Sequence, residues 1–218
     1  MAVSRHDGPY IWVTWLTKLL VGENSCEWSA WFKAHHEGWS WDRKPSTFDD
    51  VAWQIDHSAN VAANRQHWEE RGYVVFTEDQ NSFVLRGRSA KLAGKPDLIV
   101  KQEDSGVVID IKTGRPFPSH SVQVMLYMYA IPRSLGQHRG ISFDGKVVYD
   151  GHEIDIPAAA VDSKFISNVT DLILRLASER PARKIPSARE CRYCNITSKD
   201  CPERVDEDLE TEGETLDF

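Results

Sequence analysis

The sequence lacks the segments that would place a protein in or across a membrane. No apolar run approaches the roughly 20 residues that a bilayer requires, and the N-terminus has no signal-peptide pattern. A glycine-rich Walker motif is also missing, which excludes an ATP-driven motor within this chain. We therefore expect a cytoplasmic protein without its own ATP motor.

An excess of basic residues, which is typical of proteins that bind nucleic acids, is also missing, since the formal net charge is −7. Residues 203–218 account for this charge because they hold eight acidic residues and one arginine. Removing these from the totals of 33 acidic and 26 basic residues leaves 25 of each. The rest of the chain is therefore neutral overall and can carry a basic face. The acidic segment itself is predicted to be a disordered tail.

Cysteine is scarce, but three of the four cysteines lie close together. Cys26 stands alone, whereas Cys191, Cys194 and Cys201 form a C-x2-C-x6-C cluster. In a cytosolic protein such a cluster indicates metal binding more than disulfide bonding. Zinc and an iron–sulfur cluster both accept four thiolates, and spacing alone does not separate them, although zinc is the default. Ligation would join distant parts of the chain and contribute directly to folding stability.

The pattern of apolar residues predicts an α/β fold with helices on the faces of a sheet, in the order helix, strands, helix, strands, helix. The predicted helices cover residues 10–21, about 48–71, 119–131 and 161–180. The predicted strands cover 73–77, 83–88, 98–100 and 107–109, followed by two or three short strands between 140 and 156 that turn at 144–145 and 150–151. All eight tryptophans lie in the first 68 residues, where we expect them in the core of a helical lobe.

Two acidic motifs flank a predicted hairpin. Gly94-Lys95-Pro96-Asp97 precedes the strand at 98–100, and Asp110-Ile111-Lys112 follows the strand at 107–109. Because the connecting segment is rich in turn residues, the two strands are expected to pair, which brings two carboxylates and a lysine to one end of the pair. Two adjacent oxygen ligands suit Mg²⁺ or Mn²⁺. A lysine beside them can orient or deprotonate a water.

These two motifs, together with Gln123-Val124-Met125-Leu126-Tyr127, resemble three motifs of the PD-(D/E)XK nuclease superfamily. The Q-x-x-x-Y helix after the lysine strand is similar to the RecB-like branch. The resemblance implies a restriction-endonuclease-like core, in which a mixed central sheet is flanked by helices, with an N-terminal helical lobe and a C-terminal cysteine cluster.

The expected division of the chain follows from this resemblance. One nuclease domain is expected over residues 1–202, with residues 203–218 as the tail. Its parts are a helical lobe at about 1–72, a catalytic core at about 73–180 and a cluster-binding segment at about 181–202.

The resemblance also implies the metal ligands. Asp97 and Asp110 would bind Mg²⁺ or Mn²⁺ together with His57 and the carbonyl of Ile111, while Lys112 would position the attacking water. The metal would lower the pKa of its bound water and polarise the scissile phosphate.

Two further assignments follow from the same branch. A metal-binding histidine commonly lies on the helix upstream of the first aspartate, and His57 fits this position better than His67, which lies among charged residues near the predicted helix end. Gln123 and Tyr127 lie four residues apart on one helix face, from which they could contact both the substrate backbone and the active-site strand. For Tyr127, an ordinary packing contact is at least as good an interpretation.

The division of the cysteines into one N-terminal and three C-terminal residues resembles iron–sulfur nucleases of this branch, including the CRISPR-associated exonuclease. This implies a 4Fe-4S cluster on Cys26, Cys191, Cys194 and Cys201. The function implied is that of a DNA exonuclease preferring single-stranded ends, in a prokaryotic cell or its virus, acting with replication, repair or CRISPR-adaptation proteins. The alternatives are a non-catalytic DNA-binding adaptor with the same fold, or a structural zinc protein.

Overall fold

A five-stranded mixed sheet forms the centre of the structure, a computed structural model that describes residues 2–45 and 50–206. The strands are β1 (Tyr10–Trp12), β2 (Val74–Thr77), β3 (Phe83–Arg86), β4 (Lys91–Gly94), β5 (Leu98–Gln102), β6 (Ser105–Ile111), β7 (Ser142–Tyr149) and β8 (His152–Ile156). The helices are α1 (Val13–Leu20), α2 (Trp28–His35), α3 (Asp50–Glu69), α4 (Glu78–Asn81), α5 (Pro118–Ser134), α6 (Ser163–Ala177) and α7 (Ala188–Tyr193). Short 3₁₀ helices cover Gly136–His138 and Ala158–Ala160. None of the helices within these ranges is long and apolar enough to span a membrane.

The central sheet has the strand order β2-β5-β6-β7-β8. Strands β5 and β6 pair antiparallel, with Leu98 opposite Ile109, which confirms the predicted hairpin. The pairing of β6 with β7 is parallel, so the chain must cross over between them, and α5 forms this crossover and packs on the sheet. The α/β architecture with a mixed sheet flanked by helices is thus the one that the sequence predicts.

A second sheet, with the order β1-β4-β3, joins the N-terminal segment to the core. The prediction of a helix over residues 10–21 is wrong for its first three residues, which form β1, and helix α1 begins at Val13. The cause is tertiary, because β1 pairs in parallel with β4, and Ile11, opposite Leu92, is fully buried. Strand β4 itself was not predicted, since a segment of four residues with one lysine and one glycine carries a weak strand signal.

The glycine at position 145 does not mark a turn, contrary to the prediction. Gly145 lies inside β7, where an added Cβ would be 2.4 Å from Cγ1 of Val124 and 2.7 Å from the sulfur of Met128. This glycine is therefore required by the close approach of α5 to the sheet. The second predicted turn is confirmed, since Gly151 connects β7 to β8 with a φ of 79°.

The ends of two long helices differ from their predicted positions. Helix α5 continues through Pro132 to Ser134, because a proline in the last turn removes only one helical hydrogen bond before the helix ends. Helix α3 ends at Glu69, shortly before Gly72, which has a φ of 81°. Its predicted start at about residue 48 lies outside the described residues.

The N-terminal tryptophans divide between core and surface. Trp28 and Trp41 are buried as predicted, whereas Trp12, Trp39 and Trp53 are exposed, so the prediction is wrong for these three residues.

The acidic segment is described only at its beginning, because residues 207–218 lie outside the described ranges. Residues 203–206 lie against the domain, where Glu203 pairs with Lys184 at 2.8 Å and Arg204 donates to the carbonyl of Cys194 at 2.9 Å.

A fully buried histidine lies in the core away from the predicted site. His138 packs edge-on against Phe76 and Phe143, and neither of its ring nitrogens has a hydrogen-bond partner. Burial, reinforced by the charge of Lys101, lowers the pKa of His138 to about 4. In the unfolded chain a histidine protonates near pH 6.5. Between pH 4 and 6.5 the unfolded chain binds a proton at this histidine that the folded chain does not bind. The free energy of unfolding therefore falls as the pH falls from about 6.5 towards 4.

We predict that His138→Leu will reduce the acid sensitivity of the fold. The wild type should lose about 2 kcal/mol more unfolding free energy than the variant between pH 7.5 and pH 5, from 1.36 kcal/mol per unit of pKa difference. Urea unfolding at the two pH values measures this, with the exposed His6 replaced by leucine as the control. Parallel pH profiles for the wild type and His138→Leu would contradict the lowered pKa of His138 in the folded protein.

Candidate active site

A cavity of about 450 Å³ opens at the end of the β5–β6 hairpin. Its walls come from the N-terminal segment, α3, the 95–97 loop, β6 with the loop that follows, and α5. The lining residues are Trp12, Thr14, Trp53, His57, Lys95, Asp97, Asp110, Ile111, Lys112, Thr113, Gly114, Arg115, Phe117, His120, Gln123 and Tyr127. Every residue that the sequence predicted for catalysis or for divalent-metal binding therefore lies in one cavity, whereas His67 is exposed near the end of α3 and does not line it.

The register of three strands explains why acidic groups meet here. Thr77 at the end of β2 lies opposite Leu98, and Leu98 lies opposite Ile109. Extending both pairings by one residue places Glu78, Asp97 and Asp110 in one row across the sheet. Directly opposed residues point to the same face of a sheet, so Asp97 and Asp110 both line the cavity. Glu78, the first residue of α4, approaches His57 from beside this pair, with 3.6 Å between its Oε1 and Nε2 of His57.

Asp97 is held in place by the backbone of the neighbouring strand. The N–H of Ile111 donates to its Oδ2 at 2.6 Å, and this contact leaves Oδ1 directed at Nε2 of His57, 3.3 Å away. A carboxylate fixed by a backbone donor has few rotamers left, so its second oxygen is preorganised as a ligand.

His57 presents its Nε2 to two acids at once. Besides Asp97, this nitrogen lies 3.6 Å from Oε1 of Glu78, and the ring stacks on Trp53 with 4.8 Å between centroids. The hydrogen bond with Asp97 raises the pKa of His57 against the opposing effect of burial.

Glu78 was not among the predicted site residues. Its Oε1, the Nε2 of His57 and an oxygen of Asp97 lie within 4.8 Å of one another, an arrangement that could hold a metal ion. Glu78 begins α4, where Thr77 and Gln80 form a capping box. An acid directly after a strand is a weak signal on its own. The position of Glu78 indicates a site residue only once β2 is known to pair with β5.

Asp110 belongs to a second group that surrounds Lys112. The residue is 2% exposed, and one carboxylate oxygen lies 2.7 Å from Nζ of Lys112. Gln123 bridges the pair, donating through Nε2 to Asp110 at 3.1 Å and accepting from Lys112 through Oε1 at 3.2 Å. Burial raises the pKa of Asp110 to about 6, although the charge of Lys112 opposes the rise.

Tyr127 supports the site through hydrogen bonds to Gln123 and to the loop before Asp97. Its hydroxyl accepts from Gln123 at 3.1 Å and donates to the carbonyl of Lys95 at 3.5 Å, so it supports the loop that carries Asp97. An added Cβ at Gly94 would lie 2.7 Å from the Tyr127 ring, which explains the glycine of the first motif. The ring is buried, an environment in which the packing interpretation of Tyr127 is favoured over contact with the substrate.

His120 is a second cavity residue that the sequence analysis missed. It lies one helical turn before Gln123, and its Nδ1 is hydrogen-bonded to the hydroxyl of Tyr149 at 2.9 Å. Burial and then the charge of Lys112 lower the pKa of His120 to about 4, so the ring is neutral at physiological pH. The i,i+3 spacing from Gln123 was the available signal.

The four cysteines line a different cavity, of about 230 Å³. Cys26 precedes α2, Cys191 lies in α7, and Cys194 and Cys201 follow it. Within the described ranges, no three of these sulfur atoms lie within 4.8 Å of one another. The folding of the chain therefore brings Cys26 to the three C-terminal cysteines at one cavity.

The loops that carry these cysteines are tied to each other by polar contacts. The carboxylate of Glu190 accepts from the N–H groups of Ser25 and Cys26 at 2.9 and 3.1 Å. The guanidinium of Arg204 donates to the carbonyls of Cys194 and Ile196 at 2.9 and 2.6 Å.

Comparison with known proteins agrees with the geometry. The model of the PD-(D/E)XK nuclease superfamily matches residues 17–199, which is most of the chain. No curated protein matches. Fifteen chains of solved structures match. One of them, titled "Crystal structure of SSO0001", is 20% identical over 90% of this chain and 87% of that chain, with a TM-score of 0.47.

We predict that Glu78→Gln will weaken the binding of Mn²⁺ by roughly ten- to a hundredfold, because it removes one charged oxygen from the group formed with His57 and Asp97. Isothermal titration calorimetry with Mn²⁺ measures the change. Asp79→Asn is the matched control, since Asp79 is adjacent and its side chain is fully exposed. Equal affinities for the wild type and Glu78→Gln would contradict a ligand role for this residue.

Proposed function

The chain belongs to the PD-(D/E)XK nuclease superfamily, and on this basis we propose that it is a metal-dependent DNA nuclease whose active site is the cavity around Asp97. The observation that carries the proposal is the convergence of His57, Glu78 and Asp97 beside the Asp110–Lys112 pair. A group of mixed nitrogen and oxygen donors next to a buried cation has the composition needed to bind a divalent metal and a phosphate together.

The metal ligands proposed are Asp97, Glu78 and His57, with Asp110 and the carbonyl of Ile111 completing the set. A bound Mg²⁺ or Mn²⁺ would lower the pKa of a coordinated water and polarise the scissile phosphate. The protein contributes the fixed geometry, because the Ile111 N–H and the Trp53 ring restrict Asp97 and His57 before any ion arrives.

Lys112 is proposed to position the attacking water as a charged hydrogen-bond donor. Burial alone would lower the pKa of Lys112, but the Asp110 carboxylate outweighs burial and raises it, so the amine is protonated at neutral pH. A protonated amine donates and does not abstract a proton. Gln123 limits its position through the 3.2 Å contact.

The finer assignment is an exonuclease of the RecB-like branch that prefers single-stranded ends, working in CRISPR adaptation or in DNA repair and recombination. Its support is the Q-x-x-x-Y helix, since Gln123 and Tyr127 connect the Asp110–Lys112 pair to the Asp97 loop as one hydrogen-bonded unit. The rival proposal, a non-catalytic DNA-binding adaptor, gives no role to the group of metal-ligating atoms.

A 4Fe-4S cluster is proposed for the cysteine cavity. Its support is the division of the cysteines into one N-terminal and three C-terminal residues, all four of which line one cavity. Four thiolates also suit a zinc ion, which is the rival group. The cluster would act as a structural link between residue 26 and residues 191–201.

We predict that Asp97→Asn and Lys112→Ala will each lower metal-dependent DNA cleavage by about a hundredfold or more, because each removes a group that acts on the reacting phosphate or water. The assay uses end-labelled linear single- and double-stranded DNA with Mg²⁺ and with Mn²⁺. Lys101→Ala, at the far end of β5, is the control for removal of a lysine charge.

Circular single-stranded DNA in the same assay separates the two modes of cleavage, since an exonuclease leaves it intact. A wild-type protein that binds DNA but cleaves none of these substrates would support the adaptor and refute the nuclease.

We predict that anaerobically purified protein will be brown, with about four iron atoms per chain as expected of a 4Fe-4S cluster. Cys201→Ser should lose iron and melt at a lower temperature, whereas Ser198→Ala, an exposed neighbour, should retain both properties. Iron and acid-labile sulfide analysis with thermal melting tests this. A colourless protein with one zinc ion per chain would contradict the cluster.

A further inference from the structure

The active-site cavity and the cysteine cavity are joined by a third cavity of about 440 Å³. It shares Arg115 and Phe117 with the active-site cavity, and Lys18, Glu190 and Tyr193 with the cysteine cavity. One continuous depression therefore runs from the proposed metal site to α7. We call this third cavity, with its two ends, the connecting groove.

Two exposed aromatic rings line the connecting groove, each beside a cation. Phe117 is 39% exposed, and the guanidinium of Arg115 lies 4.9 Å from its ring centroid. Tyr193 is 78% exposed, with Nζ of Lys18 at 6.0 Å from its ring. Large exposed aromatics cost solvation free energy unless a partner covers them, and aromatic rings alternating with cations are the composition of surfaces that bind unpaired bases and phosphates.

The acidic residues of the connecting groove are engaged by the protein itself. The carboxylate of Glu23 accepts from the N–H and hydroxyl of Ser119 at 3.1 and 2.8 Å. That of Glu190 accepts from two backbone N–H groups of the Cys26 loop. Arg189 is directed along the groove by a 2.6 Å hydrogen bond to the carbonyl of Glu23. These hydrogen bonds hold the two carboxylates against the protein but leave them charged. The three cations that line the third cavity, Lys18, Arg115 and Arg189, outnumber its two acids by one, which favours an anion.

We propose that the connecting groove binds single-stranded DNA that enters the active site, with Phe117 and Tyr193 stacking on bases and with Lys18, Arg115 and Arg189 contacting phosphates. This inference deepens the proposed nuclease function and rests on it, because the nuclease site is where the bound strand leads. Unpaired DNA is the ligand that fits, because in a duplex the faces of the bases are already stacked and cannot reach isolated rings on a protein surface.

The test is fluorescence anisotropy of a short labelled oligothymidylate in EDTA, where cleavage cannot occur. Tyr193→Ala and Phe117→Ala should each weaken binding roughly tenfold, as expected from the loss of one base-stacking contact. Tyr193→Phe should retain wild-type affinity, because it keeps the ring. Trp39→Ala, which removes an equally exposed ring elsewhere, should leave affinity unchanged. Because Tyr193 lies between two cysteines, metal content and melting temperature are measured for each variant.

The phosphate contacts have their own readout. Arg115→Ala should lower the slope of log affinity against log salt by about 0.7, the value for one phosphate contact on a single strand. Lys164→Ala, an exposed lysine on α6, should leave the slope unchanged. A blunt duplex of the same length should bind more weakly than the single strand and should be insensitive to Tyr193→Ala.

The outcomes separate this inference from the nuclease proposal. If the wild type cleaves DNA but Tyr193→Ala and Phe117→Ala bind the oligothymidylate like Trp39→Ala, the groove assignment is refuted and the nuclease stands. If the wild type cleaves nothing but the two variants lose affinity, the groove stands and the nuclease falls. Equal loss for single strand and duplex would refute the stacking of unpaired bases.

Discussion

The register of β2, β5 and β6 is the constraint on which the site depends. Pairing Thr77 with Leu98 and Leu98 with Ile109 forces three acidic groups into one row at the end of the sheet. Like charges that lie opposite each other on neighbouring strands destabilise a sheet. The apolar residues of β5 and β6 that surround the hairpin are almost wholly buried, and their burial holds a register that electrostatics alone would oppose.

The structure offsets this repulsion with three basic groups, one near each acid. Lys95 lies 2.7 Å from Glu78, His57 lies 3.3 Å from Asp97, and Lys112 lies 2.7 Å from Asp110. The balance is incomplete, because burial still raises the pKa of Asp110 to about 6 and the acids raise the pKa of His57. A site that favours protons at both a carboxylate and an imidazole is one in which a divalent cation can replace those protons, which gives a physical reason for metal binding at this position.

The parts of the fold that the sequence predicted are those determined by local signals. The apolar runs around a turn-rich segment indicated the β5–β6 hairpin, and hence the meeting of Asp97 with Asp110. Glu78 could not be found in this way, because its place depends on the pairing of β2 with β5, a contact between strands about 20 residues apart. The sequence predicts a turn at Gly145, because the actual reason for this glycine, the close approach of α5 to β7, is visible only in three dimensions. The spacing of the cysteines leaves zinc and iron–sulfur open, because both accept four thiolates.

The central claim is that folding alone assembles a binding site for one divalent cation at this row of acids. A crystal of the protein grown with Mn²⁺ and measured at a wavelength where manganese scatters anomalously tests it directly. The account predicts an anomalous peak in contact with Asp97 Oδ1, His57 Nε2 and Glu78 Oε1. A map without a peak at that position, from crystals that contain Mn²⁺ elsewhere on the protein, would contradict it.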